Sequence, residues 1–481
     1  MNNIENNFYK MGNNNIQTSN HDSTICAPAT APGGALAIIR ISGPQALPIV
    51  SSICSVKCEK CKPNTIHYTH IKDDNGETID EVLISIFKNP CSFTGEDSAE
   101  ISCHGSRYII NKVLELLIQH GCRMAHPGEF TQRAYLNGKM DLSQAEAVAD
   151  LIASTNQATH RLAMSQLRGH FSSELSRLRD QLLRLTSLLE LELDFSDHEE
   201  LEFADRTQLL SLTHDISQHI TTLAHSFETG QAIKNGIPVA IVGKTNVGKS
   251  TLLNALLKDD RAIVSDVHGT TRDTIEDTID INGVTFRFID TAGLRQTTDV
   301  VEQIGIERTY QAIDKARIVI WLIDELPTDS EFNDITQRCK GKTLITAFNK
   351  SDIKETSNLS SDAKLRLQGK KPQISNLKPL NLSAKTGYGV EPLKQHIYEA
   401  SHLPDISEDD VIVTNARHYA ALLHAQESIQ CVLDGFTLHL TGDLLAEDLR
   451  LALNDLAEIT GGQITPQETL NNIFSHFCIG K

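Results

Sequence analysis

The sequence predicts a multidomain α/β plus α protein, in which a helical bundle is interrupted by an inserted, doubly wound α/β domain. The chain has 481 residues, whereas a single hydrophobic core seldom grows beyond about 250–300 residues. Leucine and alanine recur at helical spacing in two separate blocks, 139–235 and 400–481. Between these blocks, in 236–399, a glycine-rich loop lies between a buried-strand pattern and a helical pattern, as in α/β domains.

The N-terminal part is predicted to contain a tail and a small α/β domain. Residues 1–22 are rich in asparagine and lack a hydrophobic segment, which predicts a disordered tail and no signal peptide. Within 23–138, residues 35–41 and 81–87 have strand patterns, and residues 108–119 have the pattern of an amphipathic helix. Catalytic spacing is not evident in this segment, so these patterns predict a fold and no function.

The helical region carries a seam of apolar residues. No proline occurs between Pro127 and Pro238, and the seam steps by four and three. It consists of Phe171, Leu175, Leu178, Leu182, Leu185 and Leu189. A seam this short is more typical of packing within a bundle than of a long coiled coil, and pairing with a second copy stays open. The acidic stretch 190–202 is predicted to end a helix and turn the chain.

The bulk charge limits the kinds of partner. Acidic residues outnumber Lys plus Arg by 62 to 44, for a formal charge of −18. This excess argues against a large nonspecific surface for polyanions. Apolar runs stay well short of the roughly 20 residues that span a bilayer. The chain is therefore predicted to be cytoplasmic.

The cysteines are predicted to be free thiols. Ten cysteines in a chain of this length do not suggest a disulfide framework. Cys54, Cys58 and Cys61 have a spacing near that of metal sites, but an obvious fourth ligand is missing. Whether these three residues bind a metal is left open.

The glycine-rich loop predicts a phosphate site. Residues 243–250 match G-x-x-x-x-G-K-[ST], after a strand pattern at 237–242 and before a helical pattern at 251–257. The glycines let backbone N–H groups turn onto phosphates, helped by the positive end of the helix. Lys249 is expected to reach the outer phosphates, and the Ser250 hydroxyl is expected to bind Mg²⁺.

Four further motifs predict that the nucleotide is GTP. They lie at 268–273 (His-Gly-Thr-Thr-Arg-Asp), 290–293 (Asp-Thr-Ala-Gly), 349–352 (Asn-Lys-Ser-Asp) and 383–385 (Ser-Ala-Lys). Asp290 is expected to hold Mg²⁺ through water, and the Gly293 N–H is expected to contact the γ-phosphate. The Asp352 carboxylate can accept hydrogen bonds from both N1–H and the 2-amino group of guanine. Adenine offers neither donor, so a buried carboxylate here discriminates strongly.

The means of hydrolysis is unusual. Leu294 stands where many GTPases have a glutamine that orients the attacking water. Asn246 brings an amide oxygen beside the phosphates, and a K⁺ bound there would stabilise charge on the transferring phosphoryl group. Glu302 is able to orient water through a second water molecule, but a solvated helix charge explains it equally well.

Taken together, these features resemble the MnmE (TrmE) family of tRNA uridine-modifying GTPases. The resemblance covers the chain from about residue 23. Besides the nucleotide motifs, it is carried by 32–34 (Pro-Gly-Gly), 40–43, 93–97, 127–130, 136–142 and the terminal Cys-Ile-Gly-Lys at 478–481. It implies that the N-terminal domain is similar to tetrahydrofolate-binding folds and drives homodimerisation.

The resemblance also implies specific roles in the nucleotide site. The matching GTP-binding residues are Asn246, Val247, Gly248, Lys249, Ser250, Thr251, Ser265, Asp266, Val267, His268, Gly269, Thr270, Thr271, Asp290, Thr291, Ala292, Gly293, Asn349, Lys350, Ser351, Asp352, Ser383, Ala384 and Lys385. The implied Mg²⁺ ligands are Ser250 and Thr271, and the implied K⁺ ligands are Asn246, Ser265, Val267 and Thr270. Glu302 matches the catalytic glutamate. Thr245 replaces a proline of many relatives, which removes no ligand.

A second site is implied for a tetrahydrofolate derivative, either 5,10-methylene- or 5-formyl-tetrahydrofolate. Arg40, Glu100, Lys139 and Lys481 match the folate-contacting positions of the family. Cys478, fourth from the end, matches a cysteine considered functional in the family.

The implied partners are a second copy of the chain, the flavoprotein MnmG in a heterotetramer or larger complex, and tRNA. With MnmG, members install a carboxymethylaminomethyl or aminomethyl group at C5 of the wobble uridine, using a folate one-carbon unit. K⁺-dependent contact of two inserted domains promotes the required GTP hydrolysis. Two alternatives stay open: a regulatory GTP switch in ribosome assembly, and a dimeric scaffold with negligible turnover.

Overall fold

The computed structural model describes residues 23–31, 33–194, 206–257, 277–289, 310–352, 380–403, 410–462, 467–475, 477–478 and 480. The chain forms two compact units. The first unit comprises Met1–Ala149 and Ala457–Lys481, and the second unit comprises Asp150–Leu456. The predicted domains, 23–138, 139–235 with 400–481, and 236–399, divide the chain differently and stay a prediction. Across the described ranges, the helices are too short or too polar to cross a membrane.

The strands are β1 (Ile25–Pro28), β2 (Leu36–Ser42), β3 (Thr65–Lys72), β4 (Thr78–Phe87), β5 (Ser98–His104), β6 (Arg123–Met124), β7 (Ile237–Val242), β8 (Asp277–Ile281), β9 (Val284–Phe288), β10 (Ile318–Ile323), β11 (Thr343–Phe348) and β12 (Leu380–Asn381). The helices are α1 (Ala46–Ile53), α2 (Arg107–Gln119), α3 (Glu129–Leu136), α4 (Leu142–Ala153), α5 (Gln157–Leu167), α6 (His170–Asp194), α7 (Arg206–Asn235), α8 (Lys249–Leu257), α9 (Asp329–Arg338), α10 (Val390–Ala400), α11 (Ala416–Thr437), α12 (Gly442–Thr460) and α13 (Gln467–Ser475).

A six-stranded sheet forms the centre of the first unit, in the order β3-β4-β5-β2-β1-β6. Neighbouring strands are antiparallel except β1 and β6, which are parallel. Along β2, Ala37, Ile39 and Ile41 are buried in a core shared with α1 and α2, whereas Ile38 and Arg40 lie on the opposite face. The strands predicted at 35–41 and 81–87 and the helix predicted at 108–119 are confirmed by β2, β4 and α2.

The C-terminal helix of the chain belongs to the first unit. Phe474 of α13 packs with Leu142 of α4 in a small buried cluster. Gly128 precedes α3 with a φ of +67°, and a Cβ at this position would lie 2.7 Å from the Phe474 carbonyl oxygen. Glycine is therefore required for α13 to approach α3 this closely.

The apolar seam on α6 is buried within the second unit. Its members, Phe171, Leu175, Leu178, Leu182, Leu185 and Leu189, are each at most 4% exposed. The Phe171 ring lies 5.3 Å from the His418 ring of α11. The Phe227 ring of α7 stacks on Tyr419 of α11 at 4.3 Å. The seam therefore packs inside the chain, which confirms the predicted bundle; much of the predicted acidic turn, 195–202, lies outside the described residues.

The second unit contains a six-stranded sheet in the order β12-β11-β10-β7-β9-β8. Neighbouring strands are parallel, except that β8 and β9 form an antiparallel hairpin. All side chains of β10 are buried, and separate apolar cores cover the two faces of the sheet. Burial on both faces is typical of parallel sheets covered by helices, and the predicted doubly wound fold is confirmed.

The β8–β9 hairpin contacts the first turn of α5. The Ala158 N–H donates to the Gly283 carbonyl oxygen at 3.0 Å, and Asn156 Nδ2 donates to Thr285 Oγ1 at 2.7 Å. The hairpin thereby satisfies one of the N–H groups that the start of a helix leaves without an intrahelical partner. The sheet and the bundle are thus joined by a packed contact as well as by the two chain junctions.

Candidate functional sites

The glycine-rich loop joins β7 to α8 in the predicted strand–loop–helix arrangement. Gly243 has a φ of +154°, and a Cβ there would lie 2.3 Å from the Leu322 carbonyl oxygen. Gly248 has a φ of +103°, and a Cβ there would lie 2.3 Å from Asn349 Nδ2. Both positions therefore exclude a side chain, which explains why the loop has glycine at each of them.

Lys249 is the first residue of α8, and its side chain folds back onto the glycine-rich loop. Its Nζ donates to the carbonyl oxygens of Gly243 at 2.7 Å and Lys244 at 2.8 Å. Burial lowers the pKa of the Lys249 ammonium group. A phosphate anion beside this cation would offset that burial cost, which is the electrostatic basis of a phosphate site. Ser250 and Thr251 follow in the same helical turn.

Asn246 adopts the left-handed backbone conformation, with a φ of 62°. Asparagine is one of the few residues that tolerates this conformation. The residue is exposed at the surface of the loop, so its amide oxygen is accessible to a cation. The other predicted K⁺ ligands lie outside the described residues, so the K⁺ site stays a prediction.

Asn349 connects the base-binding motif to the phosphate loop. Its Nδ2 donates to the Val247 carbonyl oxygen at 2.8 Å, and its Oδ1 accepts from the Ala384 N–H at 2.9 Å. Asn349 is 8% exposed. One buried amide thus joins three loops that are far apart in the sequence.

Lys350, the next residue, is held by a carboxylate from the neighbouring strand end. Its Nζ lies 2.7 Å from Asp324 Oδ2. Lys350 also has a left-handed backbone, with a φ of 63°. Asp324 was missed from the sequence; the available signal was an acidic residue directly after a fully buried strand.

A cavity of about 370 Å³ lies beside the guanine-reading motif. The residues lining it are Ser351, Asp352, Asn381, Ser383, Thr386 and Tyr388. Ser351, Asp352 and Ser383 were predicted from the motifs, and the structure brings them to one cavity. Asn381, Thr386 and Tyr388 were not predicted, since only their neighbours belong to recognisable motifs.

Several predicted residues of the nucleotide site lie outside the described residues. They are Ser265, Asp266, Val267, His268, Gly269, Thr270, Thr271, Asp290, Thr291, Ala292, Gly293, Leu294 and Glu302. Their predicted roles with Mg²⁺, K⁺, the γ-phosphate and the attacking water stay predictions.

Arg40 is the centre of a second cluster, which lies in the first unit. Its cross-strand neighbour is Glu100, and Arg40 Nε and Nη2 lie 2.9 Å and 2.8 Å from Glu100 Oε1. Arg40 Nη1 donates to the Gly480 carbonyl oxygen at 3.2 Å. The guanidinium carbon lies 5.5 Å and 5.7 Å from the ring centres of Phe93 and Phe130. The cluster thus combines charged hydrogen-bonding groups with aromatic faces.

The other predicted folate residues are described only in part. Lys139 Nζ donates to the Pro90 carbonyl oxygen at 3.0 Å, close in sequence to the Phe93 ring. Cys478 is an exposed free thiol whose carbonyl oxygen accepts from the Gly128 N–H at 3.4 Å. Lys481 lies outside the described residues.

Sequence patterns did not reveal an ion network in the first unit, which is centred on the buried Glu129. Glu129 is bonded by Arg123, at 2.5 Å and 2.8 Å, and by Arg133 at 3.0 Å. Arg133 also reaches both oxygens of Glu96 at 3.1 Å, and Glu96 accepts from Ser42 at 2.8 Å. Burial alone would raise the pKa of Glu129, but the bond from Arg123, a backbone N–H and the two guanidinium charges lower it overall.

The cysteines are all free thiols. Cys54 Sγ and Cys58 Sγ lie 3.4 Å and 3.7 Å from the same Val56 carbonyl oxygen. Over the ranges that the structure describes, no group of three or more His, Cys, Asp or Glu residues is arranged to hold a metal ion.

Two family models match almost the whole chain. A model described as the MnmE helical domain matches residues 142–478. A model described as GTP-binding protein TrmE N-terminus matches residues 24–139.

Curated relatives are similar over nearly their full length. The tRNA modification GTPase MnmE of Phocaeicola vulgatus is 52% identical, with 96% of this chain and 99% of the relative covered. The protein of the same name from Bacteroides thetaiotaomicron is 53% identical, with 96% of this chain and 100% of the relative covered. Among solved structures, Aquifex aeolicus Era bound to GDP·AlF4⁻ is 27% identical over 40% of this chain and 65% of its own, but its TM-score of 0.27 supports no conclusion.

Proposed function

Because the chain belongs to the MnmE family of tRNA modification GTPases, we propose that it is a K⁺-activated, dimerisation-dependent GTPase of tRNA wobble modification. With a flavoprotein partner of the MnmG type, it installs a carboxymethylaminomethyl or aminomethyl group at C5 of the wobble uridine of certain tRNAs. The one-carbon unit comes from a tetrahydrofolate derivative bound in the first unit.

The proposal rests on one observation: the Arg40 guanidinium donates hydrogen bonds both to Glu100 and to the Gly480 carbonyl oxygen in the C-terminal tail. A folate derivative has a flat pterin ring with several hydrogen-bonding edges and a carboxylate tail. The Phe93 and Phe130 rings offer apolar faces, and the Arg40–Glu100 pair offers both donors and acceptors. When bound, the folate derivative supplies the one-carbon unit. Residues of the chain bind and orient it beside Cys478.

The glycine-rich loop fits Mg²⁺ and a nucleotide triphosphate. Lys249 and the loop N–H groups bind the phosphates, and the Ser250 hydroxyl and Thr271 hold Mg²⁺. Asn246 fits a monovalent cation because its amide oxygen is exposed beside the loop. A bound K⁺ supplies positive charge at the phosphates, where other GTPases use arginine. Glu302 orients the attacking water.

The partners follow from charge and family. A formal charge of −18 makes this chain a poor general binder of nucleic acid, so the flavoprotein partner contributes much of the basic surface for tRNA. The first unit pairs with that of a second copy, and the complex works in the cytoplasm.

The decisive experiment is nucleoside analysis of tRNA from cells that lack this protein. We expect the modified wobble uridine to disappear and to return when the wild-type gene, but not the Arg40→Ala variant, is supplied. Unchanged wobble uridines together with a ribosome-assembly defect would instead favour the regulatory switch.

Calorimetry with 5-formyl-tetrahydrofolate tests the first-unit site directly. The wild-type protein should bind the compound, and Arg40→Ala should bind at least about tenfold more weakly, because it loses the charged hydrogen bonds of the cluster. Lys112→Ala, which removes an exposed ion pair on α2, is the matched control and should bind normally. Equal binding by all three proteins would contradict the folate assignment.

A further inference from the structure

We infer that Asp324, which belongs to no recognised nucleotide motif, is a positioning residue that sets the affinity of the chain for purine nucleotides by holding the side chain of Lys350. The inference rests on the proposed guanine site and adds to it a residue from a different strand.

The sheet brings the two residues together. β10 and β11 pair in parallel with Ile323 opposite Phe348, and the Asn349 N–H donates to the Ile323 carbonyl oxygen at 2.8 Å. Because parallel strands end at the same edge, the first residues beyond them emerge side by side. Asp324, the first residue beyond β10, is therefore set beside Asn349, the first residue beyond β11. Lys350 comes one residue later, and its side chain reaches Asp324 although 26 positions separate the two residues.

The ion pair is half-buried and well supported. The Asp324 and Lys350 side chains are 24% and 34% exposed, and Nζ lies 2.7 Å from Oδ2. By comparison, a second lysine–carboxylate pair, Lys244 with Glu331, is 67% and 37% exposed. Exposed pairs of this kind contribute little, whereas partial burial strengthens the attraction.

The backbone conformation of Lys350 indicates what the ion pair does. A left-handed φ of 63° is costly for a residue with a side chain and persists only where surrounding contacts hold it. Asn349 fixes the backbone on one side through its two amide bonds. Asp324 fixes the ammonium group at the far end of the Lys350 side chain. Because both the backbone and the ammonium group are held, the four methylene groups between them are restricted to few conformations.

Holding the Lys350 side chain in place affects how the flat face of a bound purine base packs. A lysine stem with a tethered ammonium group presents an apolar surface, and in this loop it lies two residues before the base-reading Asp352. A purine ring packs against such a surface whatever its exocyclic groups are. Asp324 therefore tunes affinity for the ring, whereas Asp352 tunes discrimination between rings.

The test compares Asp324→Ala, Asp324→Asn and the control Glu325→Ala, which removes the adjacent, exposed carboxylate. Affinities for GDP and IDP are measured by calorimetry, and GTP turnover is measured as kcat and KM. For Asp324→Ala we expect about 5–10-fold weaker binding of both GDP and IDP, a matching rise in KM and an unchanged kcat. Asp324→Asn keeps an oxygen acceptor and should fall between the wild type and Asp324→Ala, and Glu325→Ala should behave as the wild type.

Three results would overturn the inference: wild-type affinity in Asp324→Ala, a loss confined to GDP, or a fall in kcat with KM unchanged. If Asp324→Ala fails to fold, the Asp324→Asn variant decides by the same three criteria. The proposed guanine site is judged separately by Asp352→Asn, which should gain binding of xanthosine diphosphate. If that gain appears while the Asp324 variants bind normally, the guanine site stands and the role of Asp324 falls.

Discussion

Arg40 and Gly480 are 440 positions apart in the chain, and the Arg40 guanidinium donates a hydrogen bond to the Gly480 carbonyl oxygen at 3.2 Å. The tail reaches this position because Gly480 has a φ of +91° and packs against the Pro28 carbonyl, where a Cβ would lie only 2.2 Å away. The C-terminal end of the chain is therefore part of the Arg40 cluster.

A methyl group at position 480 should displace the tail. In Gly480→Ala the new Cβ would meet the Pro28 carbonyl oxygen, so the tail must move away and the bond from Arg40 is lost. We expect about tenfold weaker binding of 5-formyl-tetrahydrofolate by calorimetry. Gly76→Ala is the matched control, because Gly76 also has a positive φ of +84° but has nothing within 4 Å of the added Cβ. Equal affinity in the two variants would show that the tail does not serve the site.

Loss of the Glu129 charge should destabilise the first unit. Glu129→Gln leaves the buried Arg133 and the partly exposed Arg123 beside a neutral amide, and breaking a buried ion pair costs about 3 kcal/mol. Urea unfolding followed by circular dichroism measures the change. Glu115→Gln, which removes an exposed pair with Lys112, should unfold at the wild-type midpoint; comparable losses in both variants would contradict the role of the network.

The same carboxylate predicts a pH dependence with a definite sign. The pKa of Glu129 is lowered from its ordinary value of 4.5 in the folded protein. Its contribution to stability is therefore fully present above pH 4.5 and is lost as the pH falls through the lower, folded-state pKa. The difference in unfolding free energy between wild type and Glu129→Gln should shrink in urea titrations carried below pH 4.5. A difference that grows on acidification would refute the assignment.

Removal of the Asn246 side chain should remove the response to potassium. Asn246→Gly keeps the left-handed backbone at φ 62° but deletes the amide oxygen. Phosphate release from GTP should then be equal in KCl and NaCl, and about tenfold slower than wild type in KCl. Thr245→Ala, at the adjacent exposed position, should keep the potassium response. Full stimulation of Asn246→Gly by KCl would exclude Asn246 as a ligand.

Local patterns predicted the elements of the fold accurately. The strand predicted at 237–242 coincides with β7, because burial on both faces of a parallel sheet produces a continuous apolar run. The glycine-rich loop was equally readable, since its chemistry lies within eight consecutive residues. The roles of Glu302, Thr271 and the remaining residues outside the described ranges stay predictions from motif and resemblance.

The sequence alone thus determined the family, the fold class and the nucleotide motifs, because each is encoded in neighbouring residues. Only the tertiary structure decided which distant groups meet: Arg40 with Gly480, Asp324 with Lys350, and Glu129 with its two arginines. Strand register and helix packing select these partners, and an isolated arginine or aspartate has the same local pattern whether it faces solvent or a specific partner. Such pairs therefore become visible only when the chain is folded.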